Sequence, residues 1–300
     1  MESGGETKAI DKKNLAALKA QKEGSRSACF IVIAGKHTGA MYKLGSKEVI
    51  IGRTEEAYFH LDDDGVSRQH AKIVRQPDGS VAITDLNSTN GTFCNGERVG
   101  TKVLKDGDKI QIGTATIIKF SFDDALEEEF HRHHYESATR DLLTHCYNKR
   151  FFLDCLPSEL AFAKRRDKPL SLALMDIDHF KEINDSHGHL AGDLVLRSLG
   201  SVLEKRLRAE GLFVRYGGEE FALVMRETPM QNALVAAERV RGIAEKTVFV
   251  YEGKKLRITL SIGVVSAPAP GIDTVEDLLK AADENLHKAK QTGRNKVVGQ

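Results

Sequence analysis

The spacing of apolar positions changes twice along the chain, and each change marks a boundary. Residues 1–27 are polar, with Gly, Ser and Lys throughout. Only 11–22, around Leu15 and Leu18, has the spacing of a short helix, and the rest reads as a tail with too little to bury. From residue 28 the apolar runs are short: ACFIVIAG, AMYKL, EVIIG, AKIVRQ, SVAITDL, TKVLKDGDKIQIG and TATIIKFSF, with PDGS, NSTNG and KDGD as turns. This pattern predicts an all-β sandwich over 28–122. Residues 123–140, DDALEEEFHRHHYESATR, carry a narrow stripe of Ala125, Leu126, Phe130 and His133/His134. They predict a helical linker able to pair with a second copy.

From 141 to 300 the period alternates. LSLALMDID predicts a buried strand, AGDLVLRSLGSVLEKRL an amphipathic helix, and FVRYGGEEFALVM a hairpin. MQNALVAAERVRGIAEKTV predicts a helix, KLRITLSIGVV a single strand, VEDLLKAADENLHKAKQTG a helix, and KVV a closing strand. The order predicts a mixed α/β sheet with helices on its faces.

Composition narrows the class. With 41% apolar residues the chain can bury two cores, but 6% aromatics and no Trp leave the packing to aliphatic side chains. A net charge of +1 gives no global pull toward nucleic acid or an anionic membrane, so phosphate recognition must be local. Cys29, Cys94, Cys146 and Cys155 show no metal-ligand spacing, as reduced thiols of a cytoplasmic protein would. No run approaches the ~20 residues of a bilayer span, and MESGGETKAIDKK lacks a signal peptide's apolar segment. The expectation is a cytoplasmic protein without membrane insertion. His131, His133 and His134 read as linker histidines, since nothing completes a ligand set.

Three loops of the first part carry candidate chemistry: IIGR (50–53), VSRQH (66–70) and DLNSTNGTFCNG (85–96). Arg53 offers a fork of donors suited to phosphate, Ser67 and Thr89 add hydroxyls, and Asn90 can hold a peptide backbone. Singly each is also a plain turn residue. In this order and spacing they resemble the forkhead-associated (FHA) domain, a β-sandwich that binds phosphothreonine peptides. The resemblance implies that Arg53, Ser67 and Thr89 contact the phosphate with help from Arg68. It implies that Asn90 contacts the peptide main chain and that His70 only buttresses the loop.

In the second part, LALMDIDHFKEINDSHGHLAGD (172–193) runs an apolar strand into Asp176 at its C-terminal end, where open α/β sheets bind ligands. Alone, such an Asp also reads as a turn or cap. Gly217–Gly218 suits a tight hairpin turn, and Glu219–Glu220 follows. Those glutamates are solvated turn charges or, beside Asp176, a hard-oxygen site for Mg²⁺ and phosphates. GGEEF is a form of the GGDEF signature of diguanylate cyclases. With DLLTHCYNKRFF (141–152), RYGGEEF, LSIGVV (260–265) and ADENLHKAKQTGRN (282–295), residues 141–300 are identified as a member of that family, whose palm-like α/β fold is shared with polymerases.

The resemblance implies that Asp176 and Glu219, with the Ile177 carbonyl and with Glu220 at or near the site, hold Mg²⁺ or Mn²⁺, two ions per site. It implies that Gly217 and Gly218 lie against the nucleotide and that Phe180 and Lys181 lie near the triphosphate. Lys290 and Arg294, four apart at the end of the last helix, would neutralise the phosphates, and Asn184 and Asp193 would read the base. A carboxylate accepts from guanine N1–H and its exocyclic amine but meets a bare acceptor in adenine, so GTP is the expected substrate. The reaction implied joins two GTP into cyclic di-GMP in a homodimer with one GTP per domain. A rival reading keeps the second domain as a silent guanine-nucleotide sensor with the FHA part as adaptor. The retention of Asp176, Glu219, Lys290 and Arg294 favours the enzyme.

Departures matter too. His145 and Cys146 stand where the family has Gly-Leu, and His287 where it has Tyr, read as a packing change. An inhibitory product site would need R-x-x-D, where this chain has Arg208-Ala209-Glu210-Gly211. With Arg239 as its second arginine, the residual site predicts weakened feedback. Thr7, with Ile10 three places on, makes the tail a candidate FHA ligand after phosphorylation by an upstream Ser/Thr kinase. The other candidate ligand is another protein.

Overall fold

The computed structural model describes residues 27–35, 38–45, 48–54, 56–61, 63–207 and 211–299. Thr7, with the rest of the tail, and Arg208 lie outside the described residues. Two compact units divide the chain, residues 1–136 and 137–300, inside the expected linker.

Unit one is the expected sandwich of two antiparallel-rich sheets. The first orders β2 (Met41–Lys43), β1 (Ser27–Ala34), β11 (Thr116–Asp123), β10 (Lys109–Ile112), β7 (Thr92–Cys94) and β8 (Glu97–Val99). The second orders β4 (Phe59–His60), β3 (Glu48–Gly52), β5 (Ala71–Arg75), β6 (Val81–Asp85) and β9 (Thr101–Val103). Between them Phe30 packs tilted against Phe59 and Phe120, with ring centroids 5.1 and 5.0 Å away, all three fully buried. Truncating any of them to alanine costs about 3–5 kcal/mol. The helix α1 (Ala125–Thr139) follows.

Unit two is a three-layer α/β fold. Its sheet orders β12 (Tyr147–Asn148), β14 (Leu212–Gly217), β15 (Glu220–Arg226), β13 (Leu170–Ile177), β18 (Leu260–Ala267) and β19 (Val297–Gly299). Every residue of β13 is buried, as a central strand covered on both faces requires. Its side chains alternate: Ala173, Met175 and Ile177 join one core with α3 (Phe180–His187), α4 (His189–Leu207) and α5 (Met230–Lys246). Leu170, Leu172 and Leu174 join the other with α2 (Lys149–Arg166) and α6 (Val275–Gln291).

Three sequence expectations fail here. KLRITLSIGVV is not one strand, because β17 (Lys254–Leu256) folds back on β16 (Phe249–Tyr251) and 257–259 pass outside the ladder before β18 begins. Arg294 does not lie on the last helix. Thr292 caps α6, Gly293 takes φ +113°, and the Arg294 N–H turns back to Ala289 O at 3.0 Å. His287 is exposed and bonds Gln291 at 2.7 Å, so it packs in no core. Helix α2 was not anticipated. It carries Pro157 yet forms, because Asn148 caps it through a 2.8 Å bond from the Phe151 N–H and its apolar face is buried.

Candidate functional site

Sheet parity assembles the site of unit two. Asp176 shares a face with Leu172 and Leu174, so it points toward α6, and its register partner across β15 is Glu220. Helix α6 lies directly on β18. A Cβ on Gly263 would fall 2.1 Å from Leu286 N, and buried Asn285 donates to Val264 O at 2.9 Å. That close approach brings Lys290 Nζ to 2.8 Å from Asp176 Oδ2.

The hairpin β14–β15 turns at Gly218, φ +24°, and Glu219. The Ile177 N–H donates to Glu219 O at 3.3 Å, so the turn lies beside the end of β13. Burial pushes the Asp176 carboxyl above the ordinary range, against the pull of Lys290. Burial first, and then the Asp176 charge, pushes Glu219 up as well. A buried and a half-buried carboxylate, each with a like charge nearby (Asp178 for Asp176, Asp176 for Glu219) and both drawing on the Lys290 ammonium, are under-neutralised. That is the condition a hard divalent cation relieves. Among the described residues no group of three or more His, Cys, Asp or Glu is gathered as a metal site. The pair therefore fits a cation that takes its remaining ligands from water and phosphate, the habit of Mg²⁺.

The other expected residues are spread over α3, α4, α5, the hairpin and the loop after α6. Phe180, buried, and Lys181, exposed, open α3, where the first N–H groups of a helix have no helical partner. Asn184 lies on α3 and Asp193 on α4, both half-buried. Gly192 lets the two helices meet, since a Cβ there would fall 2.1 Å from Asn184 Oδ1. Gly217 has Glu220 Oε2 3.5 Å from where its Cβ would be. Arg294 is exposed, and its charge acts on Asp176. Arg239 is exposed on α5, and Arg208 lies outside the described residues.

Two hubs that sequence reasoning missed brace the site, and the first holds the turn. Arg215 donates from Nη2 and Nε to Gly218 O at 2.8 and 3.1 Å, and from Nη1 to both oxygens of Asp141 at 3.0 and 3.2 Å. Despite burial, hydrogen bonds from Thr144 and Arg215 hold the Asp141 carboxyl below its usual range. Asp178 is the other hub: buried, it accepts from Thr259 Oγ1 and Ser261 Oγ, both at 2.6 Å, and from the Asn295 N–H at 3.0 Å. Of the departures, His145 takes φ +59°, which explains a usual glycine there, and Cys146 packs beneath α4 at Gly200.

Unit one gathers its candidates as well. Ser67 Oγ lies 3.4 Å from Thr89 Oγ1 and accepts from the Thr89 N–H at 3.1 Å. Asn90 Nδ2 donates to Gly65 O at 2.8 Å. The Arg53 N–H donates to Ser67 O at 3.0 Å, while its buried Nε has no partner. A buried, unpaired guanidinium nitrogen on a residue bonded to the Ser67 loop is what an incoming oxyanion would satisfy. Arg68 is exposed, and its carbonyl passes so close that a Cβ on Gly52 would meet it at 2.0 Å. His70, fully buried, accepts from the Ser67 N–H at 3.1 Å and donates from Nε2 to Gly91 O at 3.2 Å. Burial lowers its pKa, so the neutral ring ties the loops together. Asp85, unforeseen, pins the second loop by accepting from Ser88 and from Thr92 Oγ1 at 2.7 Å.

Comparison with known proteins follows the same division. A family model described as "Diguanylate cyclase, GGDEF domain" matches residues 138–296, and one for the FHA domain matches 49–113. The response regulator PleD of Caulobacter vibrioides is 44% identical over 169 residues, covering 56% of this chain and 37% of its own length. Diguanylate cyclase A of Treponema denticola is 36% identical over 166 residues, 54% of this chain and 44% of its own. The chain thus spans less than half of these relatives. The solved coiled coil and GGDEF domain of DgcB from Caulobacter crescentus, in complex with c-di-GMP, is 30% identical with a TM-score of 0.54. That match covers 58% of this chain and 92% of that one. Diguanylate cyclase SiaD of Pseudomonas aeruginosa, solved with its activator SiaC, is 33% identical with a TM-score of 0.53, covering 58% and 66%.

Proposed function

The chain belongs to the GGDEF family of diguanylate cyclases, and from that membership we propose that it condenses two GTP into cyclic di-GMP and two pyrophosphates. The observation that carries this reading is the Asp176–Glu219 pair beside Lys290, both raised by burial and Glu219 also by the Asp176 charge. Each transfer forms a bond from a ribose 3′-oxygen to an α-phosphorus and breaks the bond from that phosphorus to the β-bridging oxygen. Two such transfers close the ring.

The chain's residues supply position and charge. Asp193 accepts from guanine N1–H and its exocyclic amine, and Asn184 completes the base contact. The Phe180 and Lys181 amides face the phosphates. Gly217 and Gly218 let those phosphates approach the backbone. Lys290 leaves Asp176 for the triphosphate when substrate arrives, and Arg294 adds a second cation. Asp176, Glu219 and the Ile177 carbonyl would hold Mg²⁺ or Mn²⁺, with Glu220 tuning it, and the cation would stabilise charge on the phosphoryl group. One site holds one GTP, so the attacking hydroxyl comes from a second copy.

The FHA part is the proposed regulator. A phosphothreonine would fill the orphaned Arg53 Nε and bridge to Ser67 and Thr89, with Arg68 alongside and Asn90 on the peptide backbone. The ligand would come from the phosphorylated tail at Thr7 or from another protein.

The test compares parent and Glu219→Gln with GTP and Mg²⁺, reading nucleotides by chromatography. Cyclic di-GMP from the parent alone supports the reading. An unchanged GTP peak from the correctly folded dimeric parent, with phosphopeptide present, overturns it.

A further inference from the structure

Arg294 stands at φ +58° and Asn295 at φ +43°, successive left-handed residues after Gly293. Asn enters that region readily and Arg does not, so such a pair persists only where its surroundings hold it. Asn295 does the holding. Its N–H donates to Asp178 Oδ2 at 3.0 Å, its Nδ2 donates to Glu245 Oε1 at 2.8 Å, and its Oδ1 accepts from Arg241 Nη1 at 2.7 Å.

Each anchor is itself fixed. Asp178 is buried and bonded to Thr259 and Ser261 across the sheet. Arg241 also donates to Glu245 at 3.1 Å and to Glu238 at 2.8 Å. The bonds join the loop after α6 to the end of β13 and to the last turns of α5. None of these side chains is read as touching the nucleotide, yet the loop they fix carries Arg294, whose charge acts on Asp176.

We propose that Asn295 is a positioning residue: clamped by Arg241 and Glu245, it locks the loop after α6 so that Arg294 is held toward the triphosphate. This rests on the cyclase reading, because it assigns a role to the phosphate end of that same site.

The experiment measures binding of α,β-methylene GTP and of GMP by calorimetry, with Mg²⁺, on the full chain. Asn295→Asp keeps the acceptor for Arg241 but sets a carboxylate against Glu245. It should weaken the triphosphate analogue about tenfold, the worth of one charge-assisted hydrogen bond, and leave GMP within about twofold. Adding Glu245→Gln restores a donor, and N295D/E245Q should recover most of the loss. Arg241→Met, which cuts one anchor, gives the same selective loss without a new charge and serves if N295D does not fold.

Equal weakening of both ligands, no weakening of either, or a double variant no better than the single overturns the proposal. A parent that binds neither guanine ligand overturns the cyclase reading itself. A parent that binds both, with R241M unaffected, overturns only the positioning role.

Discussion

An alanine at position 192 would put its Cβ 2.1 Å from Asn184 Oδ1 and 3.0 Å from Phe180 Cζ. Ordinary contact begins at 3.4 Å, so the amide must retreat by about 1.3 Å. Helix α4 favours the change, since alanine in a helix interior gains ~0.5–1 kcal/mol over glycine. Overpacking opposes it by about 1–3 kcal/mol. The terms nearly offset, so Gly192→Ala should fold with a melting temperature within a few degrees of the parent. Activity should not be spared. If Asn184 reads the base, a displacement of ~1 Å costs on the order of 10²-fold. Initial rates across a GTP series should show a kcat/KM lowered by about that factor. Discrimination against ATP should weaken with it. A G192A enzyme with kcat/KM within twofold of the parent, at equal or higher stability, would refute the placement of Asn184 at the base.

Other outcomes follow from the same geometry. In the unfolded chain Asp176 and Glu219 ionise near ~4, whereas the fold raises both. Without a metal, folding therefore costs stability that is absent below pH ~4 and grows as pH rises through the raised values. Glu219→Gln should melt a few degrees above the metal-free parent at pH 7, a gain that shrinks toward pH 4. Mg²⁺ should raise the parent's melting temperature and leave Asp176→Asn unmoved, both read by calorimetry. Arg215→Met removes the strap from Gly218 O to Asp141 and should lower kcat/KM about 10–10²-fold in the GTP assay. Arg53→Met should weaken a phosphothreonine peptide by about 10²-fold or more, two charge-assisted bonds, with the unphosphorylated peptide as the titration control.

Much of the fold was legible because its signals are local. β13 is an unbroken apolar run ending in Asp176, and β14–β15 are two runs about Gly217–Gly218. Parity then carries Asp176 and Glu220 to one face. The strap from Arg215 to Asp141 was not legible, because it joins residues 74 apart whose types alone predict solvated charges. Nor was the left-handed exit from α6. Helical spacing put Lys290 and Arg294 on one face, whereas Gly293 ends the helix and the chain doubles back. The Asp178 hub lay inside the quoted MDID motif, but only the register of β13 with β18 reveals its partners.

The most direct measurement supplies α-labelled GTP and Mg²⁺ to the purified chain and follows label and pyrophosphate together. The label should end in cyclic di-GMP, with two pyrophosphates released for each product molecule. Label remaining in GTP, or appearing as GDP or a linear dinucleotide as the final product, would contradict the cyclase reading.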